Sequence, residues 1–141
     1  MIAPGWVPPR SPYSLIQEDL FPDEWMILVS CMMLNCTSRK QVEKVLPEFR
    51  RQWSTPQAFM SASPEEVIAL CRPLGFANRR TVNLKKMTQH FLAAPWEDAR
   101  ELPGIGEYAA RAWEIFCLGK IGNEVPKDHA LVQYYVWVKE Q

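Results

Sequence analysis

Apolar residues in this chain recur at three- and four-residue intervals almost throughout, and that spacing limits it to helices. Trp25, Leu28, Val29, Met32 and Met33 make one such stripe, and Val42, Val45, Leu46 and Phe49 the next. Val67, Leu70, Cys71 and Leu74 make a third. Ala109, Ala112, Trp113, Phe116 and Cys117 follow, and Leu131, Tyr134, Tyr135 and Val138 come last. No segment alternates with period two, and no Asn-Gly or Asp-Gly pair offers a hairpin turn. Helix starts are also marked. Ser38-x-x-Gln41 and Ser63-Pro64-Glu65-Glu66 read as capping boxes, and Thr55-Pro56 as a cap with a first-turn proline. Asn78 is placed to cap a helix carrying Val82, Met87, Phe91 and Leu92, while Gly75 and Gly119 end the helices before them. The expectation is one all-α domain of about eight helices over 13–141, preceded by a Pro-rich extended arm at 1–12.

Length and charge narrow the function. A chain of 141 residues can bury a core without staples. No apolar run reaches the roughly 18 residues of a spanning helix, and Pro4, Gly5, Pro8 and Pro9 interrupt any secretion signal. Sixteen Lys and Arg balance sixteen Asp and Glu, so nucleic-acid binding must rest on local clustering. Arg39-Lys40, Arg72, Arg79-Arg80 and Lys85-Lys86 form such a cluster, although solvated helix faces carry charges in the same way. Cys31, Cys36, Cys71 and Cys117 contain no C-x-x-C pair and have no histidine near them in sequence. They read as reduced, mostly buried thiols, with no metal site.

One stretch carries chemistry. Leu102-Pro103-Gly104-Ile105-Gly106 runs directly into a helix at Glu107. Two glycines around one inward-packing apolar residue make a tight turn with unobstructed N–H groups, and the helix start adds free amides. Together they suit a DNA phosphate, the helix-hairpin-helix arrangement, although many helices simply begin after a glycine turn. Asp128 lies 22 residues after Gly106, ahead of an apolar-striped segment. It reads as an N-cap, as a catalytic carboxylate near a sugar anomeric carbon, or as both.

On these residues the chain resembles the helix-hairpin-helix DNA glycosylases of base excision repair. Within them it is most similar to the catalytic domain of the methyl-CpG-binding-domain thymine DNA glycosylases. The likeness extends to Pro8-Pro9-Arg10-Ser11-Pro12, Leu15-Ile16-Gln17-Glu18, Leu34-Asn35-Cys36-Thr37-Ser38 and Pro73-Leu74-Gly75-Phe76. The resemblance implies a monofunctional enzyme that hydrolyses the N-glycosidic bond of a flipped pyrimidine in duplex DNA, thymine or uracil opposite guanine. Asp128 matches the catalytic aspartate. Ile16, Gln17 and Tyr108 match the base pocket, Tyr108 standing where bifunctional relatives carry a Schiff-base lysine. Phe76 matches the wedge that fills the extruded base's place. Cys36, Thr37, Arg80, Gly104, Ile105 and Gly106 fall among the DNA-binding positions, with Cys36 replacing an arginine directed at the orphaned guanine. Without the family, Tyr108 and Phe76 also read as core aromatics and Gln17 as an exposed helix residue.

The resemblance further implies no catalytic cofactor, a structural monovalent cation on hairpin carbonyls, and no iron–sulfur cluster, since no cysteine follows Cys117. The expected partner is double-stranded DNA with a mispaired or damaged base, met by a monomer without membrane contact. The expected location is intracellular: the nucleus in a eukaryote, the cytoplasm or nucleoid in a prokaryote. Three alternatives fit parts of the same sequence: a non-catalytic helix-hairpin-helix DNA-binding module, a helical protein-interaction domain, and a glycosylase for another modified pyrimidine. The first two need no constellation of Asp128, Gln17 and Tyr108.

Overall fold

The computed structural model describes residues 1–93, 95–121 and 125–141. Among these, eight α-helices follow in order: α1 Ile16–Leu20, α2 Glu24–Leu34, α3 Arg39–Gln52, α4 Pro56–Ser61, α5 Pro64–Cys71, α6 Ala77–Ala93, α7 Glu107–Leu118 and α8 His129–Lys139. Short 3-10 turns at Arg72–Leu74 and Ala99–Glu101 precede the loops into α6 and α7. The described residues include no strand, and none of their helices is long and apolar enough to cross a membrane.

The caps behave as serine, threonine and aspartate chemistry dictates. Ser38, Thr55, Ser63 and Asp128 each accept a backbone N–H from the residue three positions on. The Gln41 side chain does not return to Ser38, however. It donates to the Pro73 carbonyl at 3.0 Å, so this box is half-closed and its other half braces the next loop. Asn78 is not a cap. Helix α6 begins at Ala77, with Phe76 ahead of it in a left-handed conformation at φ +50°, and Asn78 lies in the first turn. Val82 and Leu92 also differ from expectation, since both are exposed. The inward face of α6 is instead Arg80, Thr81, Leu84, Met87 and Thr88.

Helix α2 is more than a stripe. Every residue from Trp25 to Met33 is buried, because α1, α3, α6 and α7 pack around it. At its start Trp25 joins Phe49 and Phe59, with Trp53 against Phe49 at 5.1 Å, and the Trp25 indole donates to Thr88. On the other side Phe116 of α7 meets Tyr134 of α8 at 4.7 Å.

Residues 1–12 lie on α7 and α8. Ala3 N–H donates to the Cys117 carbonyl, the Trp6 indole to that of Phe116, and the Tyr134 hydroxyl to that of Pro9. The link to α1 is Glu18, a buried carboxylate that accepts from Ser11 N at 2.7 Å, Ser11 Oγ at 2.6 Å and Leu15 N at 2.8 Å. Glu18→Gln keeps the shape but turns one acceptor into a donor facing donors. It should lower unfolding stability by about 1.5–3 kcal/mol, measured as a fall in the urea midpoint at unchanged slope.

Candidate active site

Four segments distant in sequence meet around one cleft of about 380 Å³, whose walls include Ile16, Gln17, Cys36, Tyr108 and Asp128. Asp128 reaches it as the N-cap of α8. One carboxylate oxygen, Oδ2, accepts the Leu131 N–H at 3.1 Å, at the positive end of the helix. A second concavity of about 220 Å³, walled by Lys127, Arg111 and Glu107, adjoins the Tyr108 and Asp128 side.

Gln17 is 2 % exposed, which excludes an ordinary surface role. Its amide nitrogen donates to Tyr108 Oη at 3.1 Å and lies 3.4 Å from Cys31 Sγ. Cys31, on buried α2, lies behind the cleft wall against Gln17, where the sequence suggests only an inert core thiol; no motif marks it. Burial pushes its thiol up to about 11. Burial, with Cys31 and Asp128 nearby, raises the Tyr108 phenol further, so it stays protonated as a hydrogen-bonding ring. Ile16 is buried and supplies an apolar wall.

The hairpin stands beside this cleft. Gly104 has φ +81°, so the turn favours glycine for its conformation, and a Cβ there would sit 3.0 Å from Met32 Cε, which would have to give way slightly. Ile105 packs inward, its N–H bonded to the Leu102 carbonyl at 3.3 Å. Gly106 caps α7 without a side chain, leaving the first amides of that helix unshielded. Glu107 puts a carboxylate at this positive end, where Arg100 pairs with it at 2.8 Å and holds it below the usual carboxylate range. Sequence reading missed this offset, which joins residues seven apart across the turn.

Phe76 is 69 % exposed and stands on a loop that follows Gly75 at φ +78°. It is no core residue. With Asn35, Cys36, Arg79, Asn83 and Gly104 it surrounds a smaller hollow of about 160 Å³, between the two loops and the hairpin. Cys36 is exposed, with φ +60°, and lines both this hollow and the main cleft.

Three expected surface groups are engaged inside the protein. Arg80 is 8 % exposed, and its guanidinium is taken up by backbone carbonyls and the Thr37 hydroxyl, so it presents no free donor face. Thr37 also donates to the Leu74 carbonyl at 2.9 Å. Lys85 folds onto the end of α4, donating to the Phe59 and Ala62 carbonyls and lying 4.5 Å above the Phe59 ring. The basic cluster around Phe76 therefore narrows to Arg72 and Arg79, which flank it in a shallow concavity.

Residues 29–133 match the family model described as HhH-GPD superfamily base excision DNA repair protein. The chain is 37 % identical over 134 residues to a methyl-CpG-binding domain protein 4-like protein of Arabidopsis thaliana, covering 95 % of this chain and 30 % of that one. It is 38 % identical over 95 residues to a thymine-DNA glycosylase of Aeropyrum pernix, covering 62 % and 43 %. Among solved structures, that of a thermostable thymine-DNA glycosylase superposes with a TM-score of 0.67 at 22 % identity, over 74 % of this chain and 51 % of the other. The chain thus spans about half or less of the length of these relatives.

Thiol chemistry reports the geometry directly. At pH 8 a maleimide should modify the native protein at Cys36 alone. The buried Cys31, Cys71 and Cys117, whose thiols are pushed up to about 11, 11 and 12, should react only after denaturation. Mass spectrometry of tryptic peptides checks this.

Proposed function

The chain belongs to the HhH-GPD superfamily of base excision DNA repair proteins, and on that footing we propose that it is a monofunctional DNA glycosylase. It removes a mispaired or deaminated pyrimidine, thymine or uracil opposite guanine, from double-stranded DNA. The observation that carries this reading is the convergence of Asp128, Gln17, Tyr108 and Ile16 on one cleft beside the hairpin. A protein that only binds DNA needs no such pocket.

In this mechanism the amides of the turn at Gly104–Gly106 and the start of α7 hold one backbone phosphate, with Ile105 anchoring the turn. Arg72 and Arg79 supply charge beside Phe76. The target base swings out and Phe76 takes its stacking place. In the cleft the base lies against Ile16 and the Tyr108 ring. The Gln17 amide nitrogen is already engaged, so its oxygen is the group that meets the base. That oxygen accepts the N3–H of thymine or uracil. Cytosine presents a lone pair at N3 and is disfavoured.

Asp128 faces the sugar. With Oδ2 on the Leu131 N–H, its other oxygen stabilises positive charge at C1′ and orients the attacking water. The C1′–N bond breaks with its electron pair leaving on the base. The water oxygen bonds to C1′, and its proton passes to the carboxylate and on to solvent, leaving an abasic site.

No amine attacks the sugar. Tyr108 occupies the relevant place, and a phenol cannot form an imine. Cys36 lacks the donor fork that reads guanine, so the thiol-bearing loop contributes contact rather than strict selection of the opposite base. The reading includes a structural monovalent cation at the hairpin. The carbonyls of Pro103, Gly104 and Ile105 accept no hydrogen bond from the described residues, which suits a cation there. Those carbonyls would hold such an ion, which would supply positive charge near the turn.

Asp128→Asn is the decisive variant, because asparagine caps a helix as well as aspartate does. Base release from a thymine–guanine duplex should fall by roughly 10²–10⁴-fold, with duplex affinity kept and no borohydride trapping of the wild type. Equal loss of binding and turnover would make Asp128 a structural cap, and borohydride trapping would overturn the monofunctional assignment.

A further inference from the structure

Arg80 is a buried cation without a carboxylate partner among its bonds. Nε donates to the Gly75 carbonyl at 2.7 Å. Nη1 donates to the carbonyls of Met32 at 3.1 Å and Met33 at 3.2 Å. Nη2 donates to those of Asn35 at 2.8 Å and Leu74 at 3.3 Å, and to the Thr37 hydroxyl. Six acceptors from three segments thus converge on one planar group. They are the end of α2, the Asn35–Thr37 loop and the Leu74–Gly75 turn. The carbonyls at the end of α2 form the negative pole of that helix, which explains why the charge is stable there without an acid.

The acceptors also have a direction. Cys36, between Asn35 and Thr37, and Phe76, after Gly75, both sit at positive φ, +60° and +50°. A non-glycine residue holds such a conformation only when its surroundings impose it. Arg80 binds the Asn35 carbonyl and the Thr37 hydroxyl on either side of Cys36, and the Gly75 carbonyl immediately before Phe76. Thr37 Oγ1 donates to Leu74 O at 2.9 Å, so the two loops are also bonded to each other beneath the guanidinium.

We propose that Arg80 is a positioning residue that locks the Phe76 loop to the Cys36 loop, so that the wedge enters the duplex as part of one rigid clamp. It touches no DNA and no reacting atom. It acts through Phe76, and the inference rests on the glycosylase reading for what that wedge does. Lysine cannot replace it, because an ammonium has three donors at one point and cannot reach six acceptors spread around a planar fork.

The test compares Arg80→Lys with Thr88→Val, a control that removes the acceptor of the Trp25 indole in the core, away from both loops. Extrusion is read by the fluorescence of 2-aminopurine next to a target thymine. Base release is read in single turnovers with the thymine opposite guanine or opposite an abasic site, where no partner base must be parted. Arg80→Lys should lose extrusion and paired-duplex turnover on the order of ten- to a hundredfold, with much less loss opposite the abasic site. Thr88→Val should lower thermal stability without changing the ratio between the two duplexes. Arg80→Lys extruding as well as wild type, or slowing both duplexes alike, would overturn the proposal. A wild type that opens the duplex but frees no base contradicts the glycosylase reading and leaves the clamp standing.

Discussion

The full burial of helix α2 is the constraint on which the rest depends. One helix seats Trp25 in the aromatic core, places Cys31 under Gln17 and Tyr108, and ends in the carbonyls that Arg80 binds. Met26, Ile27, Leu28 and Val29 are fully removed from water, each worth about 1.5–3 kcal/mol. Left-handed Cys36 and Phe76 cost about 1–2 kcal/mol each, so a core of this size readily offsets them. Strain at Cys36 and Phe76 is therefore sustainable because their loops are bonded through Arg80 to the end of a helix as deeply buried as α2.

The same economy of groups shapes the electrostatics. Asp128 is both the cap that starts α8 and the carboxylate facing the cleft. Arg100 gathers Asp98, Glu107 and Glu114, which removes an unfavourable acid from the hairpin. Arg39, Arg80 and Lys85 bind carbonyls of their own chain. In a chain of zero net charge this leaves Arg72 and Arg79 beside the exposed Phe76, so under the proposed function contact with DNA falls chiefly to backbone amides rather than to a broad basic face.

Local signals were legible in advance because local physics decides them: the helical period, the serine and threonine caps, and the Gly104–Gly106 turn before α7. Asn78 misled because a positive-φ Phe76 can start a helix where sequence suggests an asparagine cap. Tertiary choices stayed hidden. Arg80 reads as a surface cation because nothing in its neighbourhood signals five carbonyls and a hydroxyl from three segments. Gln17 reads equally as surface or pocket until α7 brings Tyr108 against it, 91 residues away. Cys31 carries no motif, and only the packing of α1 and α7 on α2 gives its thiol a place under Gln17 and Tyr108.

The central claim is that this cleft accepts a pyrimidine with an N3–H and that Asp128 directs water to its sugar. A panel of duplexes tests it, each with a single thymine, uracil or cytosine opposite each of the four bases, with freed base measured by chromatography. The account predicts release of thymine and uracil, most readily opposite guanine where the pair is weak, and no release of cytosine. Tight binding to every duplex with no free base from any would contradict it, as would cytosine released as fast as uracil.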